Sequence, residues 1–588
     1  MTKKLATTAL LLTFFSCSED KKRTFSNTNF ETQFETSNGV QTADYHNVIE
    51  YYQMLSDKFS TITMHAGELS DSGKPLHVII FSDLIVKNNT LDTFLEKKGT
   101  SNVLLVNNGI HPGESDGIDA SMMLLRDLAQ GKISAPKNTI IAIVPVYNIG
   151  GALNRNSTSR TNQNGPDEYG FRGNARNYDL NRDFIKADTK NALAFAKIFH
   201  ALKPELFIDN HVSNGADYQY TITHLFTQHN KLGGNLGTYL HTSFMPALED
   251  SLTSKNWDIT PYVNVFNSQP EKGFTQFLDS PRYSTGYTTL FNTLGMMVET
   301  HMLKPYKQRV EGTYELMKSF IEIADADAKN ISKLVRSSKN AVTAEAEYPI
   351  QWQIDSAKTT ILNFKGYEGN FVESTITGKQ RLKFDQSKPF NKETTYYNFF
   401  KPSTMIKVPL CYIVPQGYWN VLERLKANDI ATSRFEKDTL MEVEVYRIES
   451  YETRRNAYEG HYLHYNTSVA TKMETVAINQ GDYMISTDQD GVRYILETLE
   501  PSAVDSFFNW NFFDTILQQK EGFSPYVWED KAAALLKNNA QLKEEFDSIK
   551  EIDSNFANNW YEQLDWLHKK SSNYEKAHLR YPIVRMRR

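Results

Sequence analysis

A chain of 588 residues exceeds one ordinary domain, and at about 100–200 residues per domain it leaves room for two or three. Its 40% hydrophobic and 12% aromatic content can fill real cores, which excludes wholesale disorder. A formal net charge of −6 excludes the basic field that nucleic-acid binding requires.

Residues 1–17 read as a signal peptide: Lys3 and Lys4 precede an apolar run over 5–15, then Ser16 and Cys17. Cys17 after a small residue resembles the end of a bacterial lipobox, although Phe14 and Phe15 are bulkier than that pattern usually has. Export is therefore expected, with a membrane lipid anchor at Cys17 and a periplasmic or cell-surface location. No later apolar run approaches the roughly 18–20 residues of a membrane-spanning helix. Cys411 is the only other cysteine, so processing at Cys17 leaves no intramolecular disulfide, and Cys411 reads as a small buried hydrophobe.

The polar stretch 18–37 reads as a linker. Five short apolar or β-branched runs follow, at 76–82, 102–107, 139–146, 206–209 and 295–299, with helical patterns at 118–129 and 189–202 between them. Strands alternating with helices predict an α/β catalytic domain over 38–330, built on a mixed, largely parallel sheet flanked by helices. A helical pattern spans 310–335, and a linker is expected at 331–347. Strand-type alternation then runs from 348, clearest at 441–448 and interrupted by one helix at 419–427, which predicts a β-rich α+β accessory domain over 348–500. A mainly helical segment is expected over 501–588.

Ligands of open α/β sheets bind beyond the carboxyl ends of the strands. There the run ending at Asn107 leads to His111 and Glu114, the next to Asp209-Asn-His211, and the last to Glu299 and His301. His111-x-x-Glu114 alone carries little weight, because 14 histidines in this composition give about one such spacing by chance. Pro112 and Gly113 make the segment a turn past a strand, which can aim both side chains at one point. Two histidines, one carboxylate and an open fourth position describe a catalytic zinc site of one Zn2+ per chain. Glu299 is the natural general base beside it.

The order His111-x-x-Glu114, Asn181-Arg182, His211, Glu299 resembles the zinc carboxypeptidase family of carboxypeptidase A type. The resemblance implies His111, Glu114 and His211 as metal ligands, Glu299 as catalytic base, and Asn181 with Arg182 as the grip on a substrate's terminal carboxylate. It also implies an oxyanion-stabilising arginine, for which Arg160-Thr-Asn162 fits the Arg-x-Asn pattern, with Arg155 as alternative. Asn148-Ile-Gly-Gly151 stands where the family has Asn-Pro-Asp-Gly. Tyr283 and Tyr287 are the candidates for its substrate tyrosine, and Arg282 in the same loop is a candidate selector of acidic side chains. The implied activity is hydrolysis of peptide-like amides next to a free carboxylate.

Three other readings compete. A murein-peptide amidase would use the same metal chemistry on peptidoglycan peptides, and a surface binding lipoprotein would have lost catalysis. Gly113-Glu-Ser-Asp-Gly117 also satisfies a serine-hydrolase elbow at Ser115, but Ser115 lies eight residues past Asn107, and Pro112 prevents the strand from continuing to it.

Overall fold

The computed structural model describes residues 29–84, 91–339 and 341–587, so the signal peptide expected over 1–17 and the anchor expected at Cys17 lie outside the described residues. In chain order the strands of the N-terminal half are β1 (Ile62–Leu69), β2 (Pro75–Phe81), β3 (Asn102–Asn107), β4 (Thr139–Val144), β5 (Leu206–Ser213), β6 (Ile222–Phe226), β7 (Ile259–Pro261), β8 (Phe274–Thr275) and β9 (Leu294–His301). All but β8 form one eight-stranded sheet in the order β1-β2-β4-β3-β5-β9-β6-β7. Its centre, β4-β3-β5-β9, is parallel, and antiparallel pairings join β1 to β2, β2 to β4 and β6 to β9. This is the mixed sheet expected from the sequence. β3, β4 and β5 are buried along their whole length, as apolar runs covered on both faces must be.

Alternate residues of each strand feed two cores. Leu104, Val106, Ile141, Ile143 and Ile208 pack with the helices Tyr45–Lys58, Asp116–Ala129 and Tyr306–Ala326. Val103, Leu105, Ile140, Ala142 and Phe207 face the helix Lys190–Leu202, which Thr189 caps by accepting the Ala192 N–H.

That second core runs without a break into the C-terminal half, through Tyr348, Tyr412, Ile495, Phe507 and Tyr581. Burying each such side chain contributes about 1.5–3 kcal/mol, so the two halves share a large part of their stability.

The C-terminal half is β-rich, as expected. Thr360–Glu373 and Gln380–Tyr397 form a long hairpin, whose end pairs with β8 of the N-terminal half. A six-stranded sheet holds the hairpin Thr439–Thr453/His464–Ile478 and the strand Cys411–Val414. The tail strand Val584–Met586 inserts between these elements, so the end of the chain is stitched into the sheet. Four helices between Pro525 and Lys569 bury a small core of their own around Trp528, Phe546 and Phe556. Cys411 is a buried free thiol whose pKa burial raises to about 11. No helix of the described residues is long and apolar enough to cross a membrane.

Two expected linkers are folded where they are described. Gln33–Thr36 is helical under a reciprocal capping box of Thr32 and Glu35, and Phe34 is buried against Tyr306. Ala328–Lys339 is a helix that buries Ile331 and Val335, because its polar composition conceals an apolar stripe at helical spacing.

Candidate active site

The site is assembled at the carboxyl ends of β3, β5 and β9. Past β3 the chain runs on beside the segment that follows β4, with Tyr147 N donating to Asn108 O at 2.8 Å and Asn148 N to Gly109 O at 3.0 Å, and it turns where Glu114 N donates to His111 O at 2.8 Å. His111 and Glu114 then stand over the sheet. His211 on β5 and Glu299 on β9 are direct partners in the parallel register.

Glu114 lies between the two histidines, Oε1 3.1 Å from His111 Nδ1 and Oε2 3.0 Å from His211 Nδ1. The three residues are buried, and their ligand atoms lie within 4.8 Å of one another. Carboxylates occupy the far nitrogens: His111 Nε2 is 2.9 Å from Asp179 Oδ1, and His211 Nε2 is 2.9 Å from Asp209 Oδ2. Such partners place the proton on Nε2 and leave Nδ1 as a lone-pair donor. His111 Nδ1 makes no hydrogen bond although buried. A buried Nδ1 without a hydrogen bond, a second Nδ1 and a carboxylate converging on one point fit a divalent cation, and two histidines with one carboxylate fit zinc.

The electrostatics follow from burial and crowding. Burial opposes the charge of Glu114, yet His111 and Arg160 hold its pKa well below the usual carboxylate range. Burial likewise disfavours protonated His211, and Asp209 and Glu114 override it in the metal-free protein, raising the pKa well above that of a free histidine, so a bound cation would take the place of the Nδ1 proton. Burial pushes Glu299 up to about 8, with His211 opposing the shift and Glu114 reinforcing it.

These groups line a cavity of about 260 Å³ together with Arg172, Asn181, Arg182 and Tyr283. Its apolar wall comes from Leu225, Met297, Tyr262, Phe266 and Phe277. Asp179 caps the short turn Leu180–Arg182 by accepting the Asn181 N–H at 3.0 Å, which presents Asn181 and Arg182 to the cavity. The Arg182 guanidinium lies 4.5 Å over the Tyr283 ring, and no carboxylate of the described residues forms an ion pair with it.

The predicted residues are not all at this cavity. Arg160 sits behind Glu114, with Nη1 2.8 Å from Oε1, packed so closely on Gly113 that any side chain there would collide with it. It does not line the cavity. Arg155 is spent on the carbonyls of Thr42, Ala43 and Glu168. The arginine at the cavity beside the metal cluster is Arg172, Nη1 3.1 Å from Asp179 Oδ2 and Nη2 3.4 Å from Glu114 Oε1. Arg172 Nη1 also lies 2.6 Å from His111 Nε2. Arginine cannot accept a proton, so with Nε2 protonated its useful contacts are the carboxylates. Arg172-Gly-Asn174 repeats the Arg-x-Asn pattern nearer to Asn181, a signal that could have singled it out.

Tyr287, a substrate-tyrosine candidate, is instead buried against Phe199 and Phe291, with its hydroxyl donating to Asn428 Oδ1 at 2.6 Å. Arg282 does not face the cavity either: it is buried in an ion pair with Asp505 at 2.6 Å, so its charge is already neutralised. Ser115 is buried, its hydroxyl donates to Pro112 O, and no histidine of the described residues hydrogen-bonds it, which removes the serine-nucleophile geometry. Asp179 and Asp209, to which the sequence reading gave no role, fix both histidine rings.

The family model described as zinc carboxypeptidase matches residues 48–205. That span holds His111, Glu114, Arg172, Asn181 and Arg182 and ends before His211 and Glu299. Carboxypeptidase 2 of Trichophyton rubrum is 20% identical over 68% of this chain and 72% of its own length, and Carboxypeptidase 2 of Trichophyton equinum is 21% identical with the same coverage. Among solved structures, a metallo-carboxypeptidase from Burkholderia cenocepacia covers 47% of this chain and 69% of its own at 14% identity, TM-score 0.36. Carboxypeptidase A from Helicoverpa armigera covers 49% and 74% at 14% identity, TM-score 0.36.

Proposed function

We propose that this chain is a metallocarboxypeptidase of the zinc carboxypeptidase family, whose model matches residues 48–205, and that it releases C-terminal residues from peptides, using Glu299 as general base and Asn181 with Arg182 as the carboxylate grip. The observation that carries this reading is one cavity joining the His111, Glu114 and His211 cluster, the Glu299 carboxylate and the Arg182 guanidinium, with which no carboxylate of the described residues forms an ion pair.

Zinc held by His111, Glu114 and His211 would polarise the scissile carbonyl and supply a water acidified towards a pKa of about 7. Glu299, across from His211 on the neighbouring strand, takes the water's proton and delivers it to the leaving nitrogen. Arg172 presents guanidinium donors where the carbonyl oxygen gains charge. Arg160 holds Glu114 from behind as an anion. Arg182 and Asn181 grip the substrate's terminal carboxylate, for which a planar guanidinium offers two parallel donors. The wall of Leu225, Met297 and Phe277 takes the terminal side chain.

The test is Arg182→Ala, assayed by steady-state kinetics on a peptide with a free C-terminus and on its C-terminal amide. A charged hydrogen-bonded pair is worth about 1.5–3 kcal/mol, so KM for the free acid is expected to rise about 10- to 100-fold while the amide, already poor, is unchanged. Equal losses on both substrates would remove Arg182 from the grip.

A further inference from the structure

A tight turn of the C-terminal half presses against the loop that carries Asp179. Tyr458 and His461 pair across a β-bridge, and between them Glu459 and Gly460 have φ of 49° and 81°. A side chain at Gly460 would meet the Tyr178 hydroxyl at 2.6 Å, so glycine is what lets the turn press against that loop. Glu459 Oε2 accepts the backbone N–H of Asp179 at 2.8 Å, a contact spanning 280 positions of sequence. The turn is anchored beside it, because His461 Nε2 lies 2.6 Å from Asp188 Oδ2, which also takes Lys186 Nζ at 2.8 Å.

Asp179 is where the metal cluster and the carboxylate grip meet. Its Oδ1 takes His111 Nε2 and the Asn181 N–H, and its Oδ2 takes Arg172 Nη1. The stretch 154–179 that leads to it has no helix or multi-residue strand of its own, and loops held by few regular contacts open at little cost. A backbone N–H fixed from the other half of the molecule determines where this carboxylate sits.

We propose that Glu459 is a positioning residue of the active site, acting through Asp179 to hold His111 in its metal-binding orientation and Asn181–Arg182 at the substrate carboxylate. The substrate arm of this proposal rests on the carboxypeptidase reading; the metal arm stands without it. The accessory half is then a working part of the catalytic centre.

The experiment compares Glu459→Ala, Glu459→Gln and Gly460→Ala in the full chain. Zinc affinity is measured by competition with a chromogenic chelator, and KM and kcat on a peptide with a free C-terminus. Loss of an outer-shell partner weakens metal binding about 10- to 100-fold, and for this more distant residue the lower end applies. Glu459→Ala is expected to weaken zinc and raise KM about tenfold each, with kcat changed less than KM. Gly460→Ala pushes the turn off Tyr178 and is expected to do the same. Glu459→Gln keeps an acceptor oxygen for the Asp179 N–H and is expected to restore both values to within about threefold, which a merely stabilising contact would not separate from Ala. Unchanged zinc affinity and KM in Glu459→Ala, or a Gln variant as defective as Ala, overturns the proposal. A wild-type protein that binds zinc without releasing C-terminal residues, and loses affinity in Glu459→Ala, sinks the carboxypeptidase reading and supports the positioning role.

Discussion

Glu299→Gln is expected to bind zinc as the wild type does and to lose about 10²- to 10⁴-fold in kcat, the range for removing a positioned general base. The side chains are isosteric, so the cavity keeps its shape while the proton acceptor disappears. The pH profile adds a sharper test. Burial raises the Glu299 pKa to about 8 in the metal-free protein, and a bound cation favours the carboxylate anion and lowers that value. The base works only as an anion, so wild-type kcat/KM should rise with pH through the Glu299 pKa and fall away below it. Glu299→Gln should lack that acidic limb. A Gln variant with more than about a tenth of wild-type kcat, or with the limb intact, would remove Glu299 as the base.

Arg172→Ala is expected to retain zinc and lose about 10²- to 10³-fold in kcat, as when one oxyanion donor is removed. Arg160→Ala should show the opposite pattern. Its guanidinium is 2.8 Å from Glu114 and away from the cavity, so its loss uncovers a buried carboxylate and should weaken zinc binding more than it slows the zinc-saturated enzyme. Metal analysis and saturating-zinc kinetics on both variants decide the matter. Full activity in Arg172→Ala with a collapse of kcat in zinc-saturated Arg160→Ala would return the oxyanion role to Arg160.

The legible parts of this fold and site share a physical cause. β3, β4 and β5 are apolar runs because both faces are covered, and that composition announces a central strand. β1, β6 and β7 were not legible: β1 is half exposed and carries Thr63, His65 and Glu68, and β6 and β7 are five and three residues long. His111, Glu114, His211 and Glu299 could be read because each follows or ends such a strand, where topology alone brings them near one another. Arg160 and Arg172 could not be ranked, since both lie in an irregular stretch where spacing carries no direction. Tyr287 shows the same limit, since an aromatic near a site and an aromatic in a core look alike until the Phe199 and Phe291 rings are seen around it. Glu459 was invisible for a plainer reason: its partner is 280 positions away, and nothing local in the β-rich half marks the turn that reaches it.

The most direct test of the central claim is release of C-terminal residues from a mixed peptide library by the purified chain, with bound metal quantified before and after a chelator. Zinc at about one per chain, release of single C-terminal residues, loss of both on chelation and their return with added zinc are expected. Release that survives complete removal of metal, or a zinc-replete protein that leaves every free C-terminus intact, would contradict it.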